Sequence, residues 1–417
     1  MPHPIRYRTL EKNIESWFPK KIGKTPLILA SVIGFYMFGW GFVSPVLGIY
    51  LDLITQNNTS TGLLFSILPL IGIIFSIPVG RLTDFVNKTK LFITGCASYL
   101  FVVLGYLMSW LYPEAIVLTR ILHGFLMLVV WISFDSLLRS ITKKVSSVFS
   151  ICIFSQKIGY ILGAILLSFL FYFGILEVDN IYLSFFILFG VLALIVIVSP
   201  ILFGFSNVFK FGTAGEIFET LKNKKITLKE FKEIKNLKRN AHAMFILNFG
   251  IIMFTTSISL FFPIMIFKTG FPIWMIILIA LVPESFFVFV TMIPKLSKKF
   301  GNFKSLVFLI GIMAIGGILL SQSDGMLSFI VFYSVCIGSH ILLGPIINSI
   351  VSMKIKKEFY GEVTGGLSAF GKAGGFVGAL GTGYLADVYS YGVSFIIMSV
   401  GLIIISGFSL WLLKSKG

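Results

Sequence analysis

Apolar segments of about twenty residues or more recur from one end of the chain to the other, and this repetition constrains the fold more than any other feature. Each has the length a helix needs to cross ~30 Å of hydrocarbon at ~1.5 Å per residue. In lipid every backbone N–H and C=O must find its partner inside the protein, so a series of this kind specifies a bundle of transmembrane helices. A soluble protein with buried helices fails on composition, because 57% hydrophobic and 12% charged residues leave too little polar surface to face water. The segments are spread along the whole chain, which excludes a single anchor on a soluble domain.

The apolar runs predict spans 1 to 6 at 25–51, 59–80, 90–111, 115–137, 147–174 and 180–204. Spans 7 to 12 follow at 242–267, 271–293, 304–321, 325–351, 361–386 and 390–413. The expected organisation is an N-terminal cytoplasmic segment 1–24, a six-helix bundle 25–204, a linker 205–241, a second six-helix bundle 242–413 and a tail 414–417. The first apolar segment runs through Trp40 and Pro45 without the short apolar core and cleavage site of a secretory signal, so it reads as a retained first helix.

The formal net charge is +17, from 34 Lys and Arg against 17 Asp and Glu. Gathered on one face, that excess would fit a nucleic-acid partner. Instead six basic residues lie in the N-terminal segment, then 3, 3, 9, 4 and 3 in alternate loops and two at the C-terminus, while the opposite loops hold only Lys268. This is the positive-inside pattern of a multi-pass protein of the cell membrane with both termini cytoplasmic, and it removes the case for nucleic acid. In the linker, Lys222, Lys224, Lys225, Lys229, Lys232, Lys235, Lys238 and Arg239 alternate with Ile226, Leu228, Phe231, Ile234 and Leu237. That spacing suits an amphipathic helix on the anionic inner leaflet or a solvated connection between bundles.

Cys96, Cys152 and Cys336 fall inside apolar segments at spacings that fit neither a disulfide framework nor a zinc site, and no metal or cofactor is expected. There is no nucleotide-binding loop and no nucleophile–base set, so the expectation is a carrier driven by a gradient and not an enzyme. Asn57-Asn58-Thr59-Ser60 holds overlapping glycosylation sequons on a predicted outer loop.

Span 2 ends in Gly80-Arg81-Leu82-Thr83-Asp84-Phe85 and a basic loop through Lys90. The glycine suits close helix approach, and the acid suits a neighbouring helix N-terminus or base. Span 4 carries Arg120-Ile121-Leu122-His123-Gly124 and ends with Asp135 and Arg139, an acid and a base one turn apart. The loop theme returns at Pro294 to Lys304. A stronger repeat pairs Lys157-Ile158-Gly159-Tyr160-Ile161-Leu162-Gly163-Ala164 with Lys372-Ala373-Gly374-Gly375-Phe376-Val377-Gly378-Ala379, 215 positions apart.

These motifs resemble those of the major facilitator superfamily, nearest to its drug/proton antiporter branch, with His123 standing at the glutamine of the span 4 pattern. The resemblance implies a monomer of twelve helices in two pseudo-symmetric six-helix bundles that rock about a central cavity. It assigns Gly80, Arg81, Asp84, Asp135 and Arg139 to a cytoplasmic gate.

An ionisable group at mid-membrane is costly unless it meets water or a partner. At ~1.5 Å per residue Lys157 lies ~15 Å, Glu284 ~20 Å and Lys372 ~17 Å into their spans, while Arg120 lies ~8 Å from the outer boundary, within reach of the interface or a cavity mouth. The resemblance sets span 5 against span 8 and span 2 against span 11. Lys157 and Glu284 are therefore expected as an inter-bundle pair, either conformational glue or a solute or proton site. Lys372 faces no acid in span 2, where Asn58, Ser60 and Ser66 are the candidate polar neighbours. Tyr36, Trp40, Trp131 and Tyr333 either stack on an organic solute or pack helices, and His123, Asn248 and His340 either meet solute or bond between helices.

The expected function is secondary active transport of a small organic solute by alternating access, with a proton or counter-solute as partner. One version is a proton-coupled exporter with Glu284 exchanging protons. A second is an organic-anion transporter or exchanger, because Lys157, Lys372 and Arg120 outnumber Glu284 in the inner spans. A third, a non-transporting receptor or scaffold, has no soluble signalling domain in this sequence.

Overall fold

The computed structural model describes residues 24–141, 145–203, 239–292, 299–354 and 360–414. The expected amphipathic linker and the polar segment that precedes span 1 lie outside the described residues.

Span 1 was expected as one helix but is two, Lys24–Gly41 and Ser44–Thr55, broken at Phe42 and Val43. Pro45 explains the break: it sits in the first turn of the second helix, where a missing N–H costs nothing, and cannot continue the ladder of the first. Spans 2 to 6 are Asn58–Phe85, Lys88–Leu111, Ala115–Ile141, Val145–Tyr172 and Leu183–Phe203. Span 7 is Arg239–Lys268. Span 8 begins as Ile273–Leu281 and tightens into the 3-10 helix Val282–Met292, where a continuous α-helix was expected. Pro283 removes a backbone donor at that junction.

Spans 9 to 12 are Asn302–Ser321, Met326–Lys354, Tyr360–Val388 and Tyr391–Lys414. Among the described residues eleven stretches are long and apolar enough to cross a membrane. Span 11 falls short of that measure because nine glycines dilute its apolar side chains.

The helix pairings repeat with a shift of six. Span 1 packs on 5 and 6, span 3 on 4 and 6, and span 2 on 4; span 7 packs on 11 and 12, span 9 on 10 and 12, and span 8 on 10. Contacts between the halves follow the same two-fold relation, with span 2 against 11 and span 5 against 8. Glycine explains the closest pairing. A Cβ on Gly159 or Gly163 would lie 2.0 and 2.1 Å from the carbonyl oxygens of Gly34 and Phe38. A Cβ on Gly374 or Gly378 would lie 2.2 Å from those of Phe249 and Met253, each pair shifted by 215 positions. The sequence repeat is thus a repeat of helix contacts in which only glycine fits.

Each bundle buries its own apolar side chains, with Tyr36, Tyr99 and Phe134 inside one and Phe245, Phe254 and Phe261 inside the other. Outer helix faces instead expose Phe101, Leu118, Ile197 and Ile404, as hydrocarbon permits and water does not.

Candidate functional site

Three adjoining hollows share the ring of Phe65: the first and third lie between the bundles, and the second is walled by spans 1, 2, 4 and 5 of the first bundle alone. Their walls come from spans 1, 2, 4 and 5 of the first half and 7, 8, 10 and 11 of the second. The first, about 250 Å³, is bordered by Ser44, Tyr160, Glu284 and Tyr333. The second, about 230 Å³, has Trp40, Arg120, His123 and Trp131 in its wall. The third, about 420 Å³, brings Arg120 together with Asn248 and Lys372.

Lys157 and Glu284 meet as a half-buried ion pair that joins span 5 to span 8. Lys372 also reaches across the bundles, but to neutral oxygens: its ammonium donates to Ser76 Oγ at 2.6 Å and to the Gly72 carbonyl at 3.2 Å. These replace the expected neighbours Asn58, Ser60 and Ser66. The side chain crosses span 2 over Gly72, where a Cβ would stand 2.7 Å from Lys372 Cδ, so the glycine opens the path. Ser66 turns its hydroxyl back on its own helix, to the Leu63 carbonyl.

Arg120, expected at the interface or a cavity mouth, is 0% exposed and borders the second and third hollows. Its Nε donates to the Leu64 carbonyl at 2.9 Å and its Nη1 to the Tyr106 hydroxyl at 2.8 Å, and the guanidinium lies 4.6 Å over the Phe65 ring. The Tyr106 hydroxyl lies 2.6 Å from His123 Nδ1. His123 is stacked on Trp40 at 5.3 Å and met edge-on by Tyr99. Arg120 Nη2 and His123 Nε2 are buried without a hydrogen-bond partner.

Of the other candidates, Tyr36 packs against Tyr99 and Trp131 and borders none of the three hollows. Tyr333 borders the first hollow and stacks on Phe262. Asn248 borders the third and donates to the Leu367 carbonyl at 2.7 Å, while His340 is absent from all three walls. The three cysteines are buried and free, and among the described residues no His, Cys, Asp and Glu group could hold a metal ion.

The family model of the Major Facilitator Superfamily matches residues 29–379. The chain belongs to that superfamily. It is 28% identical over 372 residues to an uncharacterised MFS-type transporter of Methanocaldococcus jannaschii, covering 84% of this chain and 88% of that one. The nucleoside transporter NupG is similar with a TM-score of 0.72 at 14% identity, covering 94% and 99% of the two chains. The xylose transporter XylE of E. coli, in an inward-open conformation, is similar with a TM-score of 0.68 at 14% identity, covering 94% and 98%. At these identities the likeness to solved structures is one of fold.

As a superfamily member the chain is a multi-pass membrane transporter of twelve helices, and a second polar cluster gains interest because it ties the two bundles together. Asp387, at the end of span 11, accepts from the first turn of span 2: the Asn58 backbone N–H at 3.2 Å and Nδ2 at 2.7 Å, and the Thr59 backbone N–H at 2.7 Å and Oγ1 at 2.6 Å. A carboxylate there meets the positive end of a helix as well as four donors. Beside it Lys268 of span 7 donates to Asp52 of span 1 at 2.9 Å and to Asn58 Oδ1 at 3.1 Å, and Tyr391 donates to the same Asn58 oxygen.

Sequence reasoning missed this latch. The available signal was Lys268, the one base in the loops opposite the basic ones. The two sequons are part of it, with Asn57 capping span 2 by accepting from the Ser60 N–H at 2.9 Å.

At the other end of span 2, a Cβ on Gly80 meets nothing within 4 Å among the described residues, so the close approach expected there is absent from them. Asp135 is exposed on span 4. The side chains of Arg81, Asp84 and Arg139, also assigned to the gate, lie outside the described residues.

Proposed function

We propose that this transporter carries a small organic anion by alternating access, in exchange for a counter-solute. One observation carries the reading: Arg120 from the first bundle and Lys372 from the second share the wall of the 420 Å³ hollow, and none of its lining residues is Asp or Glu. Two fixed cations in a low-dielectric wall concentrate anions and repel cations before any specific contact forms. Glu284 borders the neighbouring hollow but is matched by Lys157.

The exporter reading gave Glu284 a proton-exchanging role. Its pairing with Lys157 across the bundles favours a tie that helps to hold one conformation, and anion exchange needs no proton site. The positive-inside pattern puts the Asp387 latch at the outer end, so the conformation is read as closed outside and facing the cytoplasm. The antiporter-like motifs remain compatible with a carrier working in either direction.

The test is uptake into proteoliposomes of labelled mono- and dicarboxylates, each beside its uncharged amide. Saturable uptake confined to the carboxylates is expected. Equal uptake of the amides, or uptake of amines instead, contradicts the reading.

A further inference from the structure

Arg120, Tyr106 and His123 form a hydrogen-bond chain whose protons are placed by giving the Tyr106 hydroxyl an acceptor. A guanidinium only donates, so Nη1 places a hydrogen on the Tyr106 oxygen at 2.8 Å. The single Tyr106 proton is then free to point at His123 Nδ1, 2.6 Å away. A neutral imidazole that accepts at Nδ1 carries its proton on Nε2, and a charged one carries a proton there too. Nε2 is therefore a donor in either state. It is buried without a partner, as is Arg120 Nη2, and both residues border the 230 Å³ hollow.

A pair of fully buried donors without acceptors is expensive to keep, the more so when one is charged. An acceptor-only ligand group satisfies both, and a carboxylate matches a guanidinium edge in shape as well as charge. Apart from Ser44 and Tyr160, the rest of the hollow is apolar: Trp40, Trp131 and Phe65 supply ring faces, and Met37 and Met127 supply thioethers. An apolar cavity of about 150 Å³ holds benzene, so one of about 230 Å³ has room for a ring with a short substituent.

We infer that Arg120 and His123 bind the carboxylate of an aromatic monocarboxylic acid whose ring occupies the Trp40–Trp131 hollow. This rests on the anion reading above and narrows it. Phe65 and Arg120 also border the hollow that contains Lys372, so the bound carboxylate lies beside the path on which Lys372 acts.

The experiment uses the purified full-length protein in nanodiscs, with tryptophan quenching and thermal stabilisation as readouts and benzoate, acetate, benzamide and succinate as probes. Benzoate is expected to bind saturably, at least about tenfold more tightly than acetate or benzamide, since only it has both ring and charge. His123→Phe and Met127→Trp are expected to weaken benzoate by about tenfold or more, the first by removing a donor and the second by filling the hollow with the donors intact. Succinate binding that needs Lys372, with no benzoate binding, overturns this proposal and leaves the anion reading standing. Binding of none of the anions overturns both. Equal binding of benzamide and benzoate, or unchanged benzoate binding in a folded Met127→Trp protein, also overturns the proposal.

Discussion

Lys157 and Lys372 occupy equivalent places in the two halves, each two positions before a glycine-based contact with the first helix of its bundle, yet they meet opposite chemistry. Lys157 finds a carboxylate on span 8; Lys372, on the symmetry-related interface, finds a hydroxyl and a backbone carbonyl on span 2. The backbone framework is thus symmetric and the charge is not. What the two halves share builds the scaffold, and what they do not share gives the cavity its sign.

The largest effect should follow from breaking the shared part. Gly159→Leu and Gly374→Leu each drive a side chain into a carbonyl of the neighbouring helix and should cost about 3 kcal/mol or more. Unfolding in detergent should show similar losses for both, and a large loss in only one half would break the symmetry argument.

The charged part comes next. Lys157→Met leaves Glu284 without its partner and should destabilise by about 1–2 kcal/mol, less than for a fully enclosed pair because the two side chains are 31% and 22% exposed. Glu284→Gln added to Lys157→Met should restore most of that loss, a recovery readable in the same unfolding assay. Lys372→Met removes an ammonium that has only neutral acceptors among the described residues, so it strands no counter-charge there and the protein should stay folded.

A smaller effect is expected at the latch. Asp387→Asn keeps the shape but loses the charge at the helix end, worth about 1 kcal/mol and so about a fivefold shift towards separation of spans 2 and 11. Spin labels at Gln56 and Tyr389 should report a larger population of long distances, and an unchanged distribution would deny the latch a conformational role. The smallest change belongs to Ser76→Ala, which removes one neutral acceptor of Lys372 and should alter the KM for anion uptake by about threefold, with stability preserved.

The legible part of this molecule was that set by properties of single segments. Apolar length gave the spans, basic loops gave their alternation, and the K-x-G-x-x-x-G-A repeat marked the contacts of spans 5 and 11. Register between two helices is encoded in neither alone. Lys372 was therefore matched to Asn58, Ser60 and Ser66, when the structure pairs it with Ser76, ten residues beyond Ser66 along the same helix. Counting from a boundary sets the depth of Arg120 and allows a cavity mouth, but it is blind to the Leu64 carbonyl, Tyr106 and Phe65 that enclose the side chain. The prolines at 45 and 283 were visible, but apolar runs hid the helix breaks beside them.

The most direct test compares anion uptake into proteoliposomes by Lys372→Met and by the charge-neutral double variant Lys157→Met with Glu284→Gln. The cavity's asymmetry predicts that saturable uptake is lost in Lys372→Met, with the protein still folded, and persists in the double variant. Wild-type uptake by Lys372→Met, or loss confined to the double variant, would contradict the assignment of the anion site to the Lys372 side.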